Sequence, residues 1–307
     1  KAISLNPNDV ESFINKSIAE DNLGLFEEAY NSLKRAAELE PNNEEIYYSL
    51  GVLFEKREKW DKAIEYFNKA LEIDPEYIEA LYEIGFCNEN SNRLEDALLV
   101  YDKYLELDPN SYTGWYNKGI ILLRLEKYES AINCFELSVA LRDDFTSSWF
   151  NLGFAFSQIK KNKEALESYK KALSLDPSNA SFYNNLGCSY DKLGNHAEAI
   201  EAYKQAIHLS PGNAVFHNNL GCNYGKLRLY RKAIDAFKDS IRLDPKFVKS
   251  YFDLGFSYTQ LGAYKEAIEA FKEAIRINPG IAQIHYNLAH TYSKVGLDRE
   301  SISAYEK

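Results

Sequence analysis

Residues 180–213 read ASFYNNLGCSYDKLGNHAEAIEAYKQAIHLSPGN, and a pattern of this length recurs along the whole chain. All eight prolines of the 307-residue sequence lie on one lattice with a 34-residue step: Pro7, Pro41, Pro75, Pro109, Pro177, Pro211, Pro245 and Pro279. Asp143 stands at the single lattice point that lacks a proline. A fixed period of this length is typical of a repeat array, in which each repeat packs only against its neighbours.

Within each repeat, the residue types are restricted at a few positions, which we count from Val10 so that the lattice prolines fall at position 32. Position 8 is glycine in seven repeats: Gly51, Gly85, Gly119, Gly153, Gly187, Gly221 and Gly255. Position 20 is alanine in every repeat before the last, and position 24 is aromatic in every repeat after the first. Position 4 is always a large residue.

The spacing of these positions predicts two α-helices per repeat. Positions 4, 7, 8 and 11 share one face at helical spacing, and so do positions 20, 24 and 27. The small residues at positions 8 and 20 let the two helices approach closely, and the proline ends the second helix. We expect helices over about 44–57 and 61–74, recurring every 34 residues, and no β-sheet.

These positions resemble the tetratricopeptide repeat (TPR) motif along essentially the whole chain. The match is clearest where Tyr183, Leu186, Gly187, Tyr190, Ala199, Tyr203, Ala206 and Pro211 follow one another. The resemblance implies an all-α fold, a TPR α-solenoid in which antiparallel helix pairs form a superhelix. A single array over 1–307 would comprise repeats 10–43, 44–77, 78–111, 112–145, 146–179, 180–213, 214–247, 248–281 and the partial repeat 282–307. Lys16 and Lys118 at position 7, and Tyr104 at position 27, depart from the motif.

Both ends of the sequence fall inside a repeat. Residues 1–9 correspond to positions 26–34 of a preceding repeat, and Lys307 again stands at position 26. Natural arrays usually end in a polar capping helix, and methionine is absent here, including an initiator. We therefore expect an excised or engineered segment of a longer array.

Composition excludes several classes of protein. The sequence has no long apolar run, so we expect no membrane span, and no secretory signal is visible. The four cysteines form no C-x-x-C pair and the five histidines are scattered, which favours reduced thiols in the cytoplasm and argues against a metal site. No phosphate-binding loop or nucleophile elbow occurs. We expect no catalytic residues and no cofactor.

The net charge of −10 is unevenly distributed. Residues 1–150 carry 30 acidic and 15 basic side chains, giving −15, whereas residues 151–307 carry 16 and 21, giving +5. An acidic protein repels phosphate, so nucleic acid is not an expected partner. The asymmetry indicates either a solvated surface that has drifted or a ligand, or second copy, of matching polarity.

The resemblance implies that the first helices line a concave groove, with positions 2, 5, 6, 9, 12 and 13 facing it. Such a strip of exposed apolar side chains marks a binding surface, unless helix curvature hides the rings between repeats. The candidate peptide-binding residues at positions 5 and 9 are Tyr48, Tyr82, Tyr116, Phe150, Phe154, Asn184, Asn218, Phe252 and Tyr286.

Asparagine dominates position 6 of the repeats. The candidates there are Asn117, Asn151, Asn185, Asn219 and Asn287. An amide is both donor and acceptor, so one per repeat could hold a peptide backbone of any sequence. This row is similar to the asparagine ladder in the TPR superhelix of O-linked N-acetylglucosamine transferase, although asparagine is also common at this position in TPR repeats generally. We expect these residues to face the groove and their replacement to leave folding nearly intact.

The charged groove candidates differ from those of the co-chaperone TPR domains, which grip a terminal carboxylate with lysines at positions 5 and 9. No lysine occupies either position here. Acidic candidates cluster in the first half and basic ones in the second: Glu45, Glu55, Glu79, Glu83, Glu89, Lys192, Lys226, Lys249 and Lys294. A peptide with one basic and one acidic end would match both halves in a single orientation.

Three functions remain open from the sequence. The first is a non-catalytic scaffold that binds a protein or peptide ligand as an extended segment. The second is a structural element that associates end to end, because residues 1–9 could complete the repeat that stops at Lys307. The third is the substrate-selecting arm of an enzyme whose catalytic domain lies outside this chain.

Overall fold

The fold consists of helices joined by short turns. A computed structural model describes residues 8–306, and this part of the chain contains eighteen α-helices and no strand. The first helices of the nine repeats are α1 (Val10–Asn22), α3 (Glu44–Glu55), α5 (Ile78–Asn90), α7 (Tyr112–Arg124), α9 (Thr146–Gln158), α11 (Ala180–Lys192), α13 (Ala214–Lys226), α15 (Val248–Gln260) and α17 (Ala282–Lys294). The second helices are α2 (Phe26–Leu39), α4 (Trp60–Ile73), α6 (Leu94–Leu107), α8 (Tyr128–Leu141), α10 (Asn162–Leu175), α12 (His196–Leu209), α14 (Tyr230–Leu243), α16 (Tyr264–Ile277) and α18 (Asp298–Tyr305).

The predicted all-α fold is confirmed, with helix ends within two residues of those expected for the second repeat. The chain divides into two compact bodies, an N-terminal body ending at Asn151 and a C-terminal body beginning at Leu152. A single array over the whole length remains a prediction. Residues 1–7 and 307 lie outside the described part, and so do the tail of a preceding repeat and the end-to-end contact expected there. None of the helices over residues 8–306 has the length and apolar character needed to cross a membrane.

The turn between the two helices of a repeat ends the first helix with a left-handed residue at position 15. Glu58, with φ of 56°, is one example, and its N–H and that of Lys59 close back on the carbonyls of Glu55 and Phe54. This is the Schellman arrangement, which satisfies the last carbonyls of a helix. Glycine occupies this position in four repeats: Gly24, Gly194, Gly262 and Gly296. The remaining repeats adopt the same conformation with a side chain, so the array geometry imposes it.

The turn between repeats is held by two recurring bonds. At position 31, the carboxylate of Asp74 accepts the N–H of Glu76 at 3.0 Å, and the same bond recurs at Asp108, Asp176, Asp244 and Asn278. At position 4, Trp115 Nε1 donates to the carbonyl of Pro109 at 2.9 Å. Trp149 makes the same bond to Asp143, so the turn survives the missing proline.

The core of each repeat is a contact between the glycine at position 8 and the ring at position 24. A Cβ atom added to any of the seven glycines would lie 2.8 Å or closer to that ring. The rings facing them are at most 2% exposed: Phe67, Tyr101, Phe135, Tyr169, Tyr203, Phe237 and Phe271. The end repeats lack the glycine. Ser17 faces the smaller Leu33, and Ala289 precedes Tyr305, whose ring is 51% exposed.

The departures from the motif are compensated locally. Tyr104, too large for position 27, packs over Gly114, where a Cβ would lie 2.6 Å from the ring, and its hydroxyl donates to Ser111 at 2.9 Å. Lys118 at the leucine position forms an ion pair with Asp102. Tyr104 and Lys118 therefore make contacts that the motif residues would not make, while the two helices keep their places in the repeat.

Within each body, the first helices form the inner layer. Successive first helices approach one another directly, as α1 and α3 do in the N-terminal body and α11, α13, α15 and α17 do in the C-terminal body. Except for α18, the last described helix, each second helix of these repeats packs on the first helix of the same repeat and on that of the next one. The face of the first helices that carries positions 5, 6 and 9 is called the inner face below.

Two glycines of α13 allow a matched test of the core contact. Gly221→Ala should destabilise the protein, because its Cβ would lie 2.6 Å from the Phe237 ring and overpacking costs about 1–3 kcal/mol. Gly225→Ala meets nothing within 4 Å and should stabilise by up to ~1 kcal/mol through helix propensity. Urea unfolding midpoints measure both. Equal shifts in the same direction would contradict a core role for position 8.

Candidate functional site

The rings at position 5 belong partly to the core, because each packs on the ring at position 24 of its own repeat. The ring centroids of Tyr48 and Phe67 are 5.6 Å apart, and Tyr82 contacts Tyr101 at 6.0 Å. Tyr116 and Phe252 make the same contact in their repeats. These position 5 rings are half-buried. Each presents one edge to solvent on the inner face and supports the core with the other.

Apart from Tyr286, the exposed rings on the inner face stand one helical turn further along, at position 9. Phe86 is 36% exposed, Phe154 is 38% and Phe256 is 46%. Only Phe154 was among the candidates, although the 34-residue period points to the other two as well. Tyr286, at position 5 of the last repeat, is 56% exposed. The apolar surface that can contact a ligand therefore centres on position 9.

The asparagines at position 6 already hold neighbouring repeats together. Asn117 Nδ2 donates to the hydroxyl of Tyr82 in the preceding repeat at 2.9 Å and to that of Tyr101 at 3.3 Å. Asn151 donates to Tyr116 at 3.4 Å across the same step of 35 residues. We expected replacement of these asparagines to leave folding nearly intact. Their bonds to neighbouring repeats indicate instead that replacement lowers stability.

The other asparagine candidates differ from one another. Asn219 donates to Asn184 Oδ1 of the preceding repeat at 2.9 Å, which joins two candidates directly. Asn287 donates to the carbonyl of Gln283 in its own helix at 2.8 Å. Asn185 is half-buried. A shared residue type at position 6 thus gives an inter-repeat bond only where the preceding repeat offers a hydroxyl or amide oxygen.

Asn218 is 0% exposed, which corrects its expected place on the solvent-facing surface. Its Nδ2 donates to Asp253 Oδ2 at 3.2 Å, and the thiol of Cys222 lies 3.3 Å from the same oxygen. The short amide replaces the ring usual at position 5 and folds against the next repeat. Burial raises the pKa of the Asp253 carboxyl despite these hydrogen bonds. Asn218 is therefore a buried residue that links its repeat to the next one through Asp253.

In the N-terminal body, carboxyl groups of neighbouring repeats meet on the inner face. Burial, together with the charge and hydrogen bond of Glu83, raises the pKa of Glu55 to about 7. Burial also raises the pKa of Glu83 and of Glu89, the latter against the opposing effect of Arg124. Both carboxyls therefore keep their protons to a higher pH than an exposed carboxyl does.

In the C-terminal body, the inner-face candidates are lysines and neutral thiols. Lys226 Nζ lies 2.6 Å from Asp191 Oδ2. Lys192, Lys249 and Lys294 are exposed on the first helices α11, α15 and α17. Burial raises the pKa of the Cys222 thiol to about 12, so the thiol is uncharged. Across residues 8–306, no three His, Cys, Asp or Glu side chains are grouped to hold a metal ion.

The repeat matches known family models. Models described as tetratricopeptide repeat or TPR repeat match residues 22–57, 44–77, 79–111, 100–133, 156–194, 180–213, 214–247 and 257–296. Together they cover most of the sequence. The chain belongs to the tetratricopeptide repeat superfamily. A comparison with curated proteins found no match.

Solved structures show the same fold. The chain is 26% identical to MamA over 56% of its own length and 94% of that chain, with a TM-score of 0.52. The segment of MamA from residue 41 to the end, from Desulfovibrio magneticus RS-1, gives 25% identity, 55% and 95% coverage and a TM-score of 0.53. YrrB, described as a TPR protein with an unusual peptide-binding site, gives 19% identity, 63% and 97% coverage and a TM-score of 0.54.

The inter-repeat role of Asn117 gives a stability prediction. Asn117→Ala should destabilise the protein by about 1–2 kcal/mol, because two tyrosine hydroxyls lose their donor. Asn287→Ala should stay within about 0.5 kcal/mol, since its bond lies within one helix. Urea midpoints compare the two variants. A neutral Asn117→Ala would show that the bonds to Tyr82 and Tyr101 carry no stability.

The carboxyl pair gives a pH prediction. The pKa of Glu55 in the folded state lies above its unfolded value, so the charged form destabilises the fold increasingly as pH rises from about 4.5 to 7. Glu55→Gln should therefore raise stability at about pH 8 and leave it nearly unchanged at about pH 4. Urea midpoints at both pH values measure the difference.

A control for this prediction uses the partner carboxyl. In Glu83→Gln, the neighbouring charge is gone, so the titration midpoint of the Glu55 carboxyl, followed by carbon NMR, should fall. An unchanged midpoint would mean that Glu83 does not act on Glu55.

Proposed function

We propose that the chain is a non-catalytic scaffold that binds extended peptide segments of partner proteins on the inner faces of its two bodies. The observation that carries this proposal is the exposed ring at position 9, found as Phe86 in the N-terminal body and as Phe154 and Phe256 in the C-terminal body. Large apolar side chains left in solvent at a repeated position favour a binding surface, and aromatic residues are common anchors at interfaces.

The amides of position 6 supply a second kind of contact. In the bonds of Asn117 and Asn151 to tyrosine, the amide uses Nδ2 as donor, so Oδ1 is not engaged in them. An amide oxygen accepts a backbone N–H of any peptide sequence. These bonds also orient the amide, and an oriented acceptor loses less freedom when a ligand binds. We propose Asn117, Asn151, Asn185, Asn219 and Asn287 as the backbone contacts, with the rings as the side-chain contacts.

The two inner faces favour ligands of opposite charge. The N-terminal body presents Glu45, Glu55, Glu79 and Glu83, which favour a segment with lysine or arginine. The C-terminal body presents Lys192, Lys249 and Lys294, which favour an acidic segment. Complementary charge accelerates encounter and suppresses wrong partners, more than it adds affinity. The net charge of −10 disfavours binding of nucleic acid, because an acidic protein repels phosphate.

The four cysteines are free thiols, which suits the reducing cytoplasm that we propose as the location.

A peptide-library screen on the intact chain tests the proposal, followed by two matched alanine variants of the N-terminal body. Phe86→Ala removes an inner-face ring of α5, whereas Leu99→Ala removes a side chain of the second helix α6 that is 66% exposed. Recovered peptides that bind this body should lose at least about fivefold in affinity with Phe86→Ala, since an interface anchor contributes more than ~1 kcal/mol. Leu99→Ala should bind like the parent. The reverse order, or a screen that recovers no peptide, would overturn the proposal.

A further inference from the structure

The N-terminal body contains a small cavity that opens on its inner face between α1 and α3. Its volume is about 130 Å³. The walls are mainly apolar and comprise Ile18, Leu33, Tyr48, Val52 and Leu53. Ile18 at its edge is 49% exposed, so the cavity is reached from the solvent side of the inner face. The cavity can therefore enclose a ligand side chain and is open for that side chain to enter.

The cavity exists because the first repeat lacks the ring at position 24. In later repeats, this ring fills the space between positions 8 and 9 of its own repeat and position 6 of the next. Tyr101 Oη reaches Asn117 at position 6, and Tyr203 Oη reaches the Cys188 thiol at position 9. In the first repeat, Leu33 stands at position 24 and lines the cavity together with Ser49, the position 6 residue of the next repeat. The cavity therefore lies where the later repeats place this ring.

Polar groups stand at the edge of the cavity. Ser17 and Ser49 line it, and Asp21 lies there in ion pairs with Lys56 at 2.8 Å and Arg57 at 2.7 Å. The Asp21 side chain is only 9% exposed, and the two cations neutralise it. Burial alone would raise the pKa of this carboxyl, but the bonds from Lys56 and Arg57 lower it. The charged groups are satisfied by one another, so the open walls favour an uncharged, apolar occupant.

We propose that this cavity, the first-repeat pocket, binds one aliphatic side chain of leucine size from an extended peptide ligand. A volume of 130 Å³ equals about four water volumes of ~30 Å³, which is close to the four carbons of a leucine side chain. The assignment rests on the proposed peptide-binding function and adds to it the class of side chain that anchors the ligand.

The repeat itself supplies the variant that closes the pocket. Leu33→Phe restores the ring of the later repeats, and Ser17→Gly supplies the glycine that such a ring requires, since a Cβ at position 8 would lie 2.8 Å or closer to it. The double variant should fold at least as well as the single variant Ser17→Gly, because the glycine and ring pair recurs in the seven repeats that follow. Ser17→Gly alone leaves the pocket open and serves as the matched control.

The first test uses N-acetyl-leucinamide as the probe and N-acetylglycinamide as its control, with methyl NMR shifts of Ile18, Leu33, Val52 and Leu53 as the readout. The leucine probe should give saturable shifts in the parent chain and in Ser17→Gly, and at least tenfold weaker binding in the double variant. Nuclear Overhauser contacts from the probe methyls to Leu33 and Val52 in the parent chain locate it without any variant. Absence of saturable shifts, or equal binding to the open and closed forms, overturns the pocket assignment.

The second test uses peptides recovered in the library screen that bind the N-terminal body. Replacing the anchoring leucine of such a peptide with alanine should weaken binding to the parent chain at least tenfold, and the double variant should show no further loss. An equal loss with both proteins would place the leucine elsewhere and contradict the assignment. If no peptide is recovered, the scaffold proposal fails, while the amide probe still decides whether the pocket accepts an aliphatic side chain.

Discussion

The contact of a position 8 glycine with a position 24 ring is the constraint on which the rest of the structure depends. The missing Cβ allows the ring of Phe67 or Tyr101 to lie against the backbone of the facing helix, which sets the separation of the two helices. The ring then supports the position 5 side chain of the same repeat, as Tyr101 does for Tyr82, and the Tyr101 hydroxyl also accepts a hydrogen bond from Asn117 at position 6 of the next repeat. One core contact therefore determines both the packing between repeats and the arrangement of the inner face.

This coupling has a consequence for any ligand site on the inner face. Tyr82 packs on the core, accepts a bond from Asn117 and presents an edge to solvent. A substitution there alters packing, the link between repeats and the recognition surface together, so its effect on binding cannot be read without its effect on stability. Position 9 is freer, since Phe86 and Phe256 project further into solvent. On the inner face, positions 5 and 6 make the contacts to the core and between repeats, whereas the exposed rings of Phe86 and Phe256 stand at position 9.

The period of the sequence was sufficient to predict the helices, the turns and the core, because each of these depends on residues within one repeat and its neighbour. The roles of individual polar residues were not predictable in this way. Asn117 and Asn218 are the same residue one position apart in the repeat, yet one bonds to a tyrosine at the surface and the other is buried against Asp253. Each outcome depends on the side chain found 35 residues away. A repeat motif gives the usual residue type at a position. It does not give the side chain of the neighbouring repeat that contacts this residue.

Specificity in such a molecule arises where the period is broken. A perfectly regular array would present the same ring, amide and charge at every step, and it would bind a peptide in many registers. Leu33 in place of a ring opens a pocket in one repeat only, and Asn184 in place of a ring removes an apolar contact from another. The raised pKa of Glu55 beside Glu83 likewise belongs to one step of the N-terminal body. For the proposed peptide ligand of the N-terminal body, the pocket beside Leu33 and the pair Glu55 and Glu83 would fix the register, because a shift by one repeat would lose both contacts.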